Sequence, residues 1–222
     1  MRQNKNYVIL PRSLREVNLG KIIAIAGNMG AGKTSMVEFL ARKYDVVAGF
    51  EPNDDNPYLA DFYQDMDRWA AHSQLFFLVK KAQLHRELQE SDKPSLLDRS
   101  IYEDAEIFAR NLYLNKKINK RDYALYCNYY DELNRYLKPP DLLIFLRCTF
   151  KSLKKRIAFR GREMEQDIDE AYLKRLNRLY SNWFNKYDLS PVIEIKSDKI
   201  DYVTDLTHQI DLLKMVEKAL GV

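Results

Sequence analysis

Lys21-Ile22-Ile23-Ala24-Ile25-Ala26-Gly27-Asn28-Met29-Gly30-Ala31-Gly32-Lys33-Thr34 is the stretch from which the rest of the chain can be read. Residues 21–26 form an apolar, Ile-rich run that stops at a glycine, the pattern of a strand buried on both faces. Gly27 to Thr34 then fit G-x-x-x-x-G-K-[ST] in full, and Ser35-Met36-Val37-Glu38-Phe39-Leu40 continues as a helix. Each residue type has a physical reason. Gly27, Gly30 and Gly32 let the backbone turn tightly, so that successive N–H groups, those of Asn28, Met29 and Ala31 among them, point at phosphate oxygens. Lys33 reaches the β- and γ-phosphates, the Thr34 hydroxyl ligates Mg²⁺, and the following helix adds its partial positive charge. The expected ligand is a nucleoside triphosphate with Mg²⁺.

Four more β-leaning runs follow, Asp45–Phe50, Ser95–Leu97, Asp141–Arg147 and Pro191–Ile195, with helix-patterned segments between most of them. This alternation predicts an α/β fold of the P-loop NTPase type, a parallel five-stranded sheet flanked by helices. The segment Arg68–Leu88 is apolar almost all round and is expected to be buried. Residues 1–19 read as an N-terminal extension and 20–222 as a single domain, a length sufficient for one full core. A net charge of +4 favours anionic ligands without demanding nucleic acid. The first residues lack a signal peptide's apolar centre, and no run is long enough to span a bilayer. Cys127 and Cys148 lack C-x-x-C spacing and suit a reducing compartment, so a cytoplasmic protein that binds neither nucleic acid nor membrane is expected.

Open parallel sheets bind ligands at the C-terminal ends of their strands. The second strand ends in Phe50-Glu51-Pro52 and the third in Leu97-Asp98-Arg99-Ser100. Two carboxylates facing the phosphate loop fit phosphoryl transfer, one holding Mg²⁺ and the other taking the acceptor's proton. Farther on, Arg156, Arg160 and Arg162 crowd around Gly161, as a lid over a triphosphate at about residues 156–167 requires. A GTP-binding switch is the competing class, because Asn119-Lys120-Arg121-Asp122 matches a guanine-reading string. That string opens a helix instead of ending a buried strand, so Asn119 is expected as an N-cap and Asp122 as a first-turn acid.

The ordered motifs resemble the deoxynucleoside kinase family from about Lys21 to the end of the chain. They are the phosphate loop, Glu51-Pro52, Tyr63 with Arg68-Trp69 and Gln74, Asp98-Arg99-Ser100-Ile101-Tyr102-Glu103-Asp104, and Arg160-Gly161-Arg162-Glu163-Met164-Glu165. In motif the chain is closest to bacterial deoxyadenosine and deoxyguanosine kinases. The resemblance implies ATP-dependent phosphorylation of a deoxynucleoside 5′-hydroxyl, purine favoured and deoxycytidine possible, by a homodimer. It implies Glu51 as the base at the 5′-hydroxyl and Asp98 near Mg²⁺, although Asp98 is sometimes given the base role. It places Arg99 between acceptor oxygen and phosphate, Tyr63 and Glu165 on the 3′-hydroxyl, Gln74 and Asp104 on the nucleobase edge, and the lid arginines on the donor phosphates. Trp69, Phe76 and Phe77 can stack on the base. Lys81 departs from the family pattern, which often has Arg there, and a point donor cannot make a bidentate fork. A nucleoside monophosphate kinase of the thymidylate type shares the phosphate loop and an Asp-Arg pair, but needs a further basic site for the acceptor phosphate.

Overall fold

The computed structural model describes residues 21–53, 55–162 and 168–220. The expected extension 1–19 and the second half of the expected lid, Glu165 included, lie outside the described residues.

Five parallel strands, β1 (Ile22–Gly27), β2 (Val47–Gly49), β3 (Ser95–Asp98), β4 (Leu142–Arg147) and β5 (Val192–Lys196), lie in the order β2-β3-β1-β4-β5. β1 sits at the centre, which is why its six residues are all buried. Its side chains alternate between two apolar layers. Ile23 and Ile25 join one core with Ile144 and Leu146 of β4, while Ala24 and Ala26 join another with Leu143 and Phe145. The first layer is closed by α1 (Lys33–Lys43) and α9 (Leu206–Leu220), through Met36, Val37, Phe39, Leu40, Leu212 and Val216. The second is closed by α3 (Met66–Gln89) and α8 (Glu170–Phe184), through Phe77, Leu173, Leu176 and Tyr180. The edge strands are blunted: β2 has three residues, and β5 alternates exposed and buried residues.

The segment after β3 is composite. α4 (Ile101–Glu103) passes into a π-helical stretch (Asp104–Ala109) and then into α5 (Arg110–Leu114). The remaining helices are α2 (Leu59–Gln64), α6 (Lys120–Asn134) and α7 (Phe150–Arg160). Asn119 caps α6, its side-chain oxygen accepting the Asp122 N–H at 2.9 Å, so the guanine-reading string is a helix start. The expectation for α3 needs correction. Val79 is 55% exposed, and the buried residues of the helix, such as Ala70, Gln74, Phe77, Lys81 and His85, recur every three or four positions along one side.

Candidate active site

The phosphate loop is built between β1 and α1. Gly32 has φ +104°, and a Cβ there would meet the Tyr202 hydroxyl at 2.6 Å, so no other residue fits without strain. That hydroxyl donates to the Gly32 carbonyl at 2.8 Å. Arg156 braces the neighbouring peptide, giving hydrogen bonds to the Ala31 carbonyl at 3.0 Å and to Ser197 Oγ and the Ser197 carbonyl at 3.1 and 2.7 Å. Arg156, expected in the lid, therefore has its guanidinium fixed to the loop, and it lines the donor cleft with Arg160 and Arg162. Arg160 ends α7, Gly161 caps it with φ +69°, and Arg162 follows. Both arginines border the acceptor pocket and the donor cleft at once. Lys33 is buried and gives a hydrogen bond to the Asn28 carbonyl at 3.2 Å. Burial, with Arg99 nearby, lowers its ammonium to about 8 against the pull of Asp98 and Glu51.

Thr34 donates its hydroxyl to Asp98 Oδ2 at 2.6 Å, which joins the loop to the end of β3. Asp98 Oδ1 is buried with no hydrogen-bond partner among the described residues. A hydroxyl and a carboxylate with an oxygen to spare fit a hard, oxygen-seeking cation. Among the described residues there is no cluster of three or more His, Cys, Asp or Glu side chains that could hold a metal without the substrate's own oxygens.

Glu51 sits opposite. Its Oε1 accepts from Lys81 at 2.8 Å and from Arg99 at 3.0 Å, and its Oε2 from Asn53 at 3.3 Å. Burial alone would raise this carboxyl, but Arg99, Lys81 and Lys33 together hold it well below the usual carboxylate range. Lys81, almost wholly buried, also donates to Asp104 Oδ1 at 2.8 Å. Burial opposes its charge, but Asp104 and Glu51 raise the ammonium above its ordinary value. Asp104 is pushed upward by burial despite Lys81. The Arg99 guanidinium lies 4.4 Å from the Phe108 ring centre, close enough for cation–π attraction. Burial again opposes the charge, yet Glu51, Glu103 and Asp104 raise Arg99 well above its ordinary value.

Glu51, Tyr63, Gln74, Arg99 and Asp104 line one pocket with about 70 Å³ of free space. Gln74 Oε1 and Asp104 Oδ2 face no hydrogen-bond partner among the described residues although both are buried. Phe77 lines the pocket, as do Phe62 and Phe108. Trp69 and Phe76 do not: Trp69 stacks on Tyr58 at 5.7 Å, with His72 closing the trio. Sequence reasoning assigned no role to Tyr172, which lines the pocket from α8, or to Glu103, which lies within a quoted motif and is fully buried. The Ser100-x-x-Glu103 spacing of a capping box was a signal for Glu103; nothing in the sequence singled out Tyr172.

A phosphate loop joined to an acceptor pocket by Asp98 and Arg99 defines a phosphotransferase on a P-loop scaffold. The chain belongs to the deoxynucleoside kinase family, whose model matches residues 23–221. It is similar to the deoxyadenosine/deoxycytidine kinase of Bacillus subtilis (strain 168), 33% identical over 83% of this chain and 86% of that one. It is also similar to the deoxyadenosine kinase of Lactobacillus acidophilus, 35% identical over 90% of this chain and 96% of that one. The structure of deoxyadenosine kinase from M. mycoides with the products dCMP and a flexible dCDP superposes with a TM-score of 0.77, at 28% identity, covering 89% of this chain and 98% of that chain. Membership makes the chain an ATP-dependent deoxynucleoside phosphotransferase and sets aside the GTP switch and the monophosphate kinase. Among the described residues no helix is long and apolar enough to cross a membrane.

Proposed function

We propose that this chain transfers the γ-phosphate of ATP to the 5′-hydroxyl of a purine deoxynucleoside, with deoxyadenosine accepted at least as well as deoxyguanosine. The observation carrying this is the pair of buried, unpartnered acceptors, Gln74 Oε1 and Asp104 Oδ2, in the pocket that also holds Glu51 and Arg99. An amide can be read in either orientation, but a carboxylate only accepts, so Asp104 selects a base with an exocyclic amine and disfavours thymine. Lys81 is engaged by Asp104 and Glu51, which leaves no strong donor for guanine O6. A deoxyadenosine kinase and a deoxyguanosine kinase are similar to this chain at the same 35% identity, which supports a purine acceptor.

The acceptor hydroxyl donates to Glu51, whose charge Arg99 and Lys81 maintain. As the bond from the 5′-oxygen to phosphorus forms, ADP leaves and the hydroxyl proton passes to Glu51. A carboxylate held so low takes a proton only late, which suits a loose transition state in which the hydroxyl is deprotonated after most of the charge has moved. Lys33, Arg99, Arg160 and Arg162 stabilise the transferring group, and Thr34 with Asp98 would hold Mg²⁺. There it would supply positive charge to neutralise the donor phosphates. Tyr63, with Glu165, grips the 3′-hydroxyl, so a 3′-deoxy analogue should bind ~1–3 kcal/mol less well. The exposed apolar side chains Val79 of α3 and Leu125 and Tyr129 of α6 support a homodimer through these helices, testable by light scattering. Its setting is a reducing cytoplasm, in which Cys127 and Cys148 stay free thiols.

The test is kcat/KM for all four deoxynucleosides with ATP. Deoxyadenosine at or near the top and thymidine last are expected; thymidine as the best substrate overturns the reading. Lys81→Arg should move preference toward deoxyguanosine or deoxycytidine, because a fork can hold Asp104 and reach the base together.

A further inference from the structure

The Glu103 carboxylate is fully buried and does not line the acceptor pocket. Its Oε1 accepts the Gly27 N–H at 3.2 Å and the Tyr180 hydroxyl at 2.9 Å. Its Oε2 accepts the Ser100 N–H at 3.0 Å, and the Ser100 hydroxyl lies 3.4 Å away. The Arg99 Nε is 4.0 Å from Oε1, and that nitrogen has no hydrogen-bond partner among the described residues. A capping box needs only the Ser100 contact; the others reach beyond the helix start.

These contacts join three segments on one side chain. Gly27 opens the phosphate loop, Ser100 follows the turn that carries Arg99, and Tyr180 belongs to α8, which also gives Tyr172 to the acceptor pocket. The turn itself is strained. Arg99 has φ +65°, a left-handed conformation that a long L side chain adopts at a cost. Its own N–H is held by the Ile25 carbonyl at 3.1 Å and the next N–H by Glu103. Strain of this kind persists only where surrounding bonds fix it, and it is concentrated at working sites.

We propose that Glu103 is a positioning residue for phosphoryl transfer, its single carboxylate setting the separation between the start of the phosphate loop and the strained turn that presents Arg99, with Tyr180 holding that carboxylate in place. It acts through Arg99, and so rests on the role given to Arg99 above. A donor held by the loop and an acceptor held by Glu51 and Arg99 react only if the two halves stand at the right distance. Displacement by an ångström lowers turnover without much change in binding. The hydrogen bonds of Glu103 go to Gly27, Ser100 and Tyr180, none of which lines the nucleoside pocket.

The test compares Glu103→Gln, Tyr180→Phe and Arg99→Lys, singly and in pairs, by kcat, by KM for ATP and for deoxyadenosine, and by Tm. Gln in either orientation faces an N–H or hydroxyl donor with its own NH₂. Glu103→Gln should lower kcat on the order of a hundredfold while KM for deoxyadenosine changes less than about threefold. Tyr180→Phe should lower kcat on the order of tenfold with both KM values held. In the Arg99→Lys background both losses should largely disappear, which a general loss of stability would not produce. A folded Glu103→Gln protein with kcat close to the parent's, or losses that multiply with Arg99→Lys, overturns the proposal. If Glu103→Gln does not fold, Tyr180→Phe decides alone by the same two criteria. If Arg99→Lys itself leaves kcat unchanged, the role given to Arg99 fails, and the proposal with it.

Discussion

The acceptor and donor sides of this site are built on opposite principles. The acceptor pocket is narrow, with about 70 Å³ of free space, and its charges are bonded to one another: Glu51 to Lys81 and Arg99, Lys81 to Asp104. The donor cleft has about 740 Å³, and its walls include exposed apolar side chains, Phe159 at 93% and Val203 at 60%. In the pocket, specificity comes from buried groups that must find a partner. In the cleft, the proposed grip comes from backbone N–H groups, Lys33 and arginines, groups that would recognise any triphosphate tail. A site of this kind should discriminate sharply between nucleosides and loosely between donors.

The largest expected effect is on Lys81, the buried cation that pairs with two carboxylates of the pocket and does not itself line it. Lys81→Met leaves Asp104 without its bonded cation and Glu51 with Arg99 alone, which should destabilise the protein by ~3–5 kcal/mol. Urea unfolding measures it; a loss below about 1 kcal/mol would mean the pocket is not held together by this cation. Next is Glu51→Gln, which should lower kcat by roughly a hundredfold or more with little change in KM. Asp98→Asn should mainly weaken the dependence on Mg²⁺. A flat result for Glu51→Gln, with Asp98→Asn abolishing kcat at saturating Mg²⁺, would exchange the two roles.

The pH dependence follows from the directions of the shifts. Glu51 is depressed, so it stays charged as pH falls through the ordinary carboxylate range, and kcat should keep no acid limb from it above about pH 5. The stability Glu51 contributes is present above its unfolded value of 4.5 and is lost only as pH falls through its lower folded value. Asp104 is raised, so it is the first of the two to protonate, and its contribution to stability is greater at low pH than at high. An acid limb should therefore appear in kcat/KM for deoxyadenosine while kcat remains flat. An acid limb in kcat first, with nucleoside KM unchanged, breaks the assignment.

The smallest effect belongs to the cleft. Tyr202→Phe removes the hydroxyl that holds the Gly32 carbonyl, which should raise KM for ATP by a factor of a few, ~0.5–1.5 kcal/mol, with KM for deoxyadenosine unchanged. Equal changes in both would show that the two sides are not separate.

Local chemistry was legible in the sequence. Gly27–Thr34, Glu51, Asp98-Arg99 and Gln74 each stand where strand ends and the apolar pattern required them, and all five strands were found within two residues at each end. The long-range partners were not legible. Arg156 looks like one lid arginine among three, and only the packing of α7 behind the loop turns it toward Ala31. Lys81 could be set beside Asp104 through the family pattern, but nothing in the sequence assigned it Glu51 as a second carboxylate. Trp69 reads as a stacking platform, but Tyr58 takes its face. Val79 continues an apolar run, and no periodicity says which side of α3 lacks a neighbour.

The central place of β1 has a consequence for the order of assembly. β1 and its loop are made early, but the strands that pair with β1 are β3 and β4, and the loop's braces are Glu103, Arg156 and Tyr202. A chain growing from its N-terminus therefore carries the whole nucleotide-binding motif long before it can form a nucleotide site. Pairings of such high sequence separation are slow, because loop-closure entropy must be overcome first. ATP should stabilise only chains complete through α9, so nucleotide binding by a truncated or nascent chain would report the last step of folding rather than the first.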